Sequence, residues 1–131
     1  RAQIAAAGLA GRIRLTGAMT AEGLHAAYQG ADIFCLPSRY EGYGMVAAEA
    51  MAHGLPVIAT AAGALPEAVG DAGLLIAPDD APALAAALTR LLTDREEADR
   101  RAEASHARAA TLPGWDTTAA IVADAIRKAL A

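Results

Sequence analysis

Two glutamates, Glu41 and Glu49, stand with seven residues between them in the stretch "PSRYEGYGMVAAEAMAHGLPVIAT" (37–60). The preceding "DIFCLP" reads as the end of a strand and residues 38–43 as a loop across a sheet edge. A helix follows from Gly44 or Met45, because helix formers continue without interruption to a stop at Gly54. The loop therefore feeds a helix N-terminus. Glycines 42 and 44 let the backbone approach a ligand closely. The N–H groups of Tyr43, Gly44, Met45 and Val46 have no intrahelical acceptor and lie at the positive end of the helix dipole. This is an anion cradle, most naturally for phosphate. Glu41 would repel phosphate, so a carboxylate at that point accepts hydrogen bonds from hydroxyls. Glu49, one turn past Met45 on the same face, leans back toward the helix start and can likewise only accept. Acceptors on both sides of an anion site suit the pyranose, pyrophosphate and ribose of a nucleotide sugar.

Plainer readings stand beside these. Glu41 also reads as a solvated loop carboxylate or helix-start acid, Glu49 as a surface residue, and Gly42, Gly44 and Gly63 as turn glycines. Met19, Met45 and Met51 read as packing residues whose side chains form no cofactor box. Asp79 and Asp80 read as a helix cap and Glu67 as a helix-start acid. His25, His53 and His106 lack Asp, Glu or Cys partners at ligand spacing, so no metal and no other cofactor is expected.

The elements that must hold this stretch are legible from pattern. "RIRLTG" (12–17), "DIFCLP" (32–37), "PVIAT" (56–60) and "GLLIAP" (73–78) are short apolar runs bounded by Gly or Pro, as in strands buried on both faces. Helical segments "TAEGLHAAYQGA", "GMVAAEAMAHG" and "ALPEAVGD" lie between them. The alternation predicts an α/β fold, a Rossmann-like parallel sheet with flanking helices and a ligand site at the carboxyl ends of the strands. After Pro78 the chain turns helical. "DDAPALAAALTRLL" has an Asp cap and a Leu84, Leu88, Leu91 stripe. "TDREEADRRAEASHARAA" reads as a solvated helix face, and "LPG" ends it. The last helix sets Trp115, Ala119, Val122, Ile126 and Ala129 on one apolar face that calls for a partner. The opening "RAQIAAAGLAG" reads as the end of a helix running into a Gly stop, which together with the missing initiator Met suggests a piece of something longer.

Composition narrows the class. At 131 residues the chain is one domain by size and can bury roughly two-thirds of the surface its unfolded form exposes. Alanine supplies 38 residues, favouring helices and small-residue packing. A net charge of −4 with 11 scattered basic residues excludes a nucleic-acid footprint. The lone cysteine, Cys35, forbids an internal disulfide, suits a reducing compartment, and reads as a buried structural thiol. No run of 18 apolar residues marks a transmembrane segment, and no export signal is visible.

Taken in order, "EGYG", "EAMAHGLPVIAT" and "AGLLIAP" closely resemble the C-terminal donor-binding domain of retaining, GT-B-fold glycosyltransferases of family 4. The likeness runs from "RIRLTG" to at least "LLTD". It implies that Glu41 binds the hydroxyls of the donor sugar at the catalytic centre, that the backbone of Gly42, Tyr43, Gly44, Met45 and Val46 holds sugar and diphosphate, and that Glu49 binds the ribose diol. It also sets the nucleobase against the backbone of Ala18 and Met19. Tyr43 replaces the commoner Phe without changing the backbone role. The resemblance further implies a separate N-terminal domain for an acceptor of unidentified class (glycan, lipid or small molecule). On that reading residues 1–131 form a nucleotide-sugar-binding domain shortened at its N-terminus, cytoplasmic or peripheral to the inner face of a membrane. Family members also carry two earlier strands, between "RIRLTG" and "DIFCLP" in the order 3-2-1-4-5-6, and a basic Arg and Lys pair. Neither is present here, and the basic pair is not assigned to Arg12, Arg14 or Arg39. Without the two strands the sheet is expected to be split or rearranged.

Three functions follow from these residues. The favoured one is the donor half of a metal-independent, retaining sugar transferase. A noncatalytic nucleotide-sugar-binding module working with a separate partner chain is the alternative. A glycoside hydrolase using Glu41 and Glu49 as its carboxylate pair is weakest, because hydrolysis needs no anion cradle. A phosphoacceptor receiver domain fails, since Asp32 precedes its strand.

Overall fold

The structure, a computed structural model, describes residues 1–130, apart from the side chain of Trp115. It divides into two compact units, Arg1–Gly30 and Ala31 onward.

The first unit holds helix α1 (Ala2–Ala6) and helix α2 (Ala21–Gln29). The Thr20 hydroxyl accepts from Gly23 N–H at 3.2 Å and caps α2. Residues 12–17, predicted as a strand, form none, and Ile13 and Leu15 are exposed. A strand exists only through the ladder it shares with a neighbour, and no described strand pairs with this run. This unit carries no strand of its own, and the described strands of the chain form one continuous three-stranded sheet in place of the split sheet expected.

In the second unit the chain runs β1 (Phe34–Leu36), α3 (Met45–Ala52), β2 (Val57–Thr60), α4 (Leu65–Val69), a 3-10 turn (Gly70–Ala72) and β3 (Leu74–Ile76). Helices α5 (Ala81–Thr93), α6 (Arg95–Thr111) and α7 (Trp115–Leu130) follow. The sheet is parallel in the order β1-β2-β3, with Cys35 beside Ile58 and Ala59 beside Leu75. This is the predicted Rossmann-like α/β arrangement with a helical tail. Burial on both faces holds for the central strand β2, all four residues of which are buried. The edge strands are only half-covered. Ala47, Ala50 and Met51 of α3, with Val57, Ile58, Leu65 and Val69, make the core. Cys35 is half-buried rather than buried, and desolvation pushes its thiol pKa up, which keeps it protonated and unreactive at neutral pH.

The reading of 93–110 as a solvated face holds for one side of the helix only. Helix α6 packs against α3 and α5, and its Glu97 and Ser105 are buried. Alanines 98, 102 and 109 let it approach closely, so it buries short side chains where a periodicity of large apolar residues would be sought. Glu97 accepts from Arg90 at 2.7 Å and Arg101 at 3.1 Å and also pairs with Arg100. Arginines of α6 then cap its neighbours. Arg101 Nη1 donates to the carbonyl of Asp71 at 2.9 Å, and Arg108 Nη2 to that of Glu67 at 2.6 Å. Both carbonyls lie at or just beyond the end of α4, where main-chain acceptors lack helical partners.

The Asp80 carboxylate caps α5 by accepting from Ala83 N–H at 2.9 Å, while Asp79 pairs with Arg39 at 2.8 Å. On α7, Ala119, Val122, Ile126 and Ala129 are exposed, in keeping with an apolar face that lacks cover. Trp115, predicted for that face, has a side chain outside the described residues.

Candidate functional site

The carboxyl edge of the sheet carries the loop from Pro37 to Gly44. Its start is held by Thr60, the last residue of β2, whose buried hydroxyl donates to the carbonyl of Ser38 at 2.5 Å. Its middle is held at Glu41, whose carbonyl accepts from Ala64 N–H at 2.8 Å. The loop ends at Gly44, the N-cap of α3, at φ +82°. A Cβ there would meet the Ala68 Cβ at 2.8 Å, so glycine is required both by conformation and by the closeness of α4.

Gly44 has no side chain with which to cap α3, and the Glu41 carboxylate turns to the amides just ahead of the first helical residue. Its Oε1 lies 3.3 Å from Gly44 N and 3.5 Å from Tyr43 N. Half-buried Glu41 thus acts as a helix-start acid in this structure, and two of the four amides expected to face a ligand are engaged by it. The N–H groups of Met45 and Val46 find no acceptor among the described residues. They form the open part of the cradle, at the positive end of α3. Tyr40, Tyr43, Met45 and Val46 leave exposed apolar surface around it. The packing reading of the methionines holds for Met51, which is fully buried, and not for Met45 or Met19, both exposed.

Glu49 lies one turn beyond Met45 and is exposed, on the side of α3 away from Ala47, Ala50 and Met51. Its carbonyl accepts from His53 N–H at 3.2 Å and lies 2.9 Å from His53 Nδ1. The structure brings Glu41, Gly42, Tyr43, Gly44, Met45, Val46 and Glu49 together as one loop-and-helix unit. Ala18 and Met19 belong to the Arg1–Gly30 unit, just ahead of the Thr20 cap. Among the described residues, no three His, Cys, Asp or Glu side chains converge as a metal-ligand set. No helix there is long and apolar enough to cross a membrane.

Sequence reasoning missed Thr60 and Gly63. Thr60 is the one polar residue in "VIAT", a signal that its hydroxyl has a partner. Gly63, read as a turn glycine, runs against the Glu41 backbone, where a Cβ would stand 2.1 Å from the Glu41 carbonyl oxygen.

This arrangement can be compared with known proteins. The family model described as glycosyl transferases group 1 matches residues 1–94. The MMP alpha-(1->4)-mannosyltransferase of Mycolicibacterium hassiacum is 37% identical over 131 residues, 98% of this chain and 32% of the relative. Sucrose-phosphate synthase from Thermosynechococcus elongatus matches with a TM-score of 0.88 at 34% identity, over 98% of this chain and 33% of that one. Anabaena HepE, solved in complex with UDP-glucose, matches with a TM-score of 0.88 at 25% identity, over 97% and 35%. The chain thus spans about a third of the length of each of these proteins. With the family model covering the sheet and its loops, and the fold shared along nearly the whole sequence, this chain belongs to the group 1 glycosyl transferases.

Proposed function

We propose that these residues form the donor-binding part of a retaining glycosyltransferase, which moves a sugar from a nucleotide-sugar donor to an acceptor held by an N-terminal domain. The observation that carries the reading is the loop-and-helix unit itself. Open Met45 and Val46 amides at the start of α3 lie between two carboxylates, Glu41 before them and Glu49 one turn after. Family membership and the likeness to HepE, solved with UDP-glucose, support the same assignment.

Each group then has a chemical task. The amides and the helix dipole take the charge that develops on the departing diphosphate, a role suited to preorganised dipoles and one that needs no metal. Glu41 turns from the Tyr43 and Gly44 amides to the sugar hydroxyls, which leaves those amides available to the donor. Glu49 accepts from the ribose diol. The acceptor attacks on the face that the leaving group vacates, giving retention, and its positioning by the facing domain can supply roughly 7–11 kcal/mol of the barrier. A cytoplasmic location belongs to the same proposal.

Thermal-shift screening of the enzyme assembled with its acceptor-binding domain tests this. A cognate nucleotide sugar or nucleoside diphosphate at about 100 times its Kd should stabilise the protein by about 2.7 kcal/mol. Free pyranoses at the same concentration should not. A panel of nucleotide sugars that leaves the melting temperature unchanged would rule the proposal out.

A further inference from the structure

The end of β2 and the turn after it touch the candidate site twice without lending it a reacting side chain. Thr60 Oγ1 holds the Ser38 carbonyl at 2.5 Å, and Ala64 N–H holds the Glu41 carbonyl at 2.8 Å. Between these anchors Gly63 sits at φ +55°, and a Cβ built on it would stand 2.1 Å from the Glu41 oxygen and 3.0 Å from its carbonyl carbon and nitrogen. Those atoms are main chain, not the pliable end of a side chain. To reach even 3.0 Å the Glu41 backbone would have to give by about 0.9 Å, the difference between 3.0 and 2.1 Å. Nothing but hydrogen fits between the two loops.

We infer that the β2–α4 turn is a splint for Glu41, with Gly63 as a positioning residue that sets where the Glu41 carboxylate stands and so how the sugar end of the donor is recognised. The inference rests on the proposed reading of Glu41 as the sugar-binding carboxylate. Two features confine the effect to that end of the donor. Gly63 meets Glu41 through backbone, so any displacement passes directly to the carboxylate. Glu49 and the open Met45 and Val46 amides instead ride on α3, whose fully buried Ala47, Ala50 and Met51 hold it in the core, packed against α6 as well as α4. Functional groups have to be held to about 0.5 Å of their productive geometry, and a misplacement of about 1 Å can cost 10²-fold in rate.

A mutant cycle in the assembled enzyme tests this, using Gly63→Ala, Glu41→Ala and the double mutant. Gly63→Ala should lower kcat/KM for the nucleotide sugar by about 10²-fold and leave nucleoside diphosphate affinity within about threefold. The double mutant should be no slower than Glu41→Ala within about twofold, because both changes act through one carboxylate. Additive losses, or diphosphate affinity falling in step with turnover, would overturn the splint. Should Glu41→Ala alone leave kcat/KM unchanged, the reading of Glu41 fails instead, which separates the two ideas. Thr60→Val keeps the side-chain shape and removes the other anchor, so it carries the same cycle if Gly63→Ala does not fold. Non-additivity with Glu41→Ala is expected there too, with a loss of about 3–10-fold, and additivity would overturn the inference.

Discussion

Replacing Glu41 by alanine is expected to lower kcat/KM for the nucleotide-sugar donor by about 10²–10⁴-fold. A carboxylate accepting from two sugar hydroxyls makes two charge-assisted bonds of about 1.5–3 kcal/mol each, and every 1.4 kcal/mol is a factor of ten. The same substitution removes the acceptor that lies near the Tyr43 and Gly44 amides in the structure. Loss of those two hydrogen bonds should cost about 1 kcal/mol of stability, read by urea denaturation, which is too little to account for the kinetic loss. Glu41→Gln keeps the shape with weaker bonds and should fall between alanine and wild type. Steady-state kinetics showing less than a threefold change for Glu41→Ala would leave Glu41 as a brace for its own loop and nothing more.

Glu97→Ala should cost about 3 kcal/mol of stability by urea denaturation. Its carboxylate is 2% exposed and collects three arginines. The figure sits at the low end for breaking a buried pair, because the Arg90 and Arg100 side chains are more than half exposed and can turn to water. Arg101 cannot do so as readily, being 21% exposed and tied to the carbonyls of Asp71, Ala72 and Gly73. A loss under about 0.5 kcal/mol would restore the picture of α6 as a solvated helix, since surface substitutions usually fall in that range.

What was legible in the sequence is what local chemistry determines. The helix start at Gly44, the Asp80 cap and the parallel β1-α3-β2-α4-β3 alternation follow from turn residues, capping residues and short apolar runs, and the structure has each of them. What was not legible depends on atoms distant in the chain. Gly63 looks like any turn glycine until the Glu41 backbone is laid beside it, and the Thr60 hydroxyl acquires its meaning from a carbonyl 22 residues earlier. Helix α6 misled for another reason. Its buried face is built from alanine, serine and a compensated glutamate, a surface that hydrophobic patterning scores as wet. Residues 12–17 have the composition of a strand, yet a strand needs a paired neighbour, which composition does not reveal.

The central claim is that the two ends of a nucleotide-sugar donor are read by different carboxylates on one loop-and-helix unit. Calorimetric titration of nucleoside diphosphate into wild type, Glu41→Ala and Glu49→Gln enzymes tests it most directly, because this ligand carries ribose and phosphates but no pyranose. Glu49→Gln should weaken binding by about 10–150-fold, since each of two bonds to the ribose diol loses about half of its 1.5–3 kcal/mol when the charge is removed. Glu41→Ala should stay within about threefold of wild type, or bind slightly tighter as the Tyr43 and Gly44 amides are released. Wild-type affinity in Glu49→Gln, or a loss in Glu41→Ala as large as that in Glu49→Gln, would contradict the account.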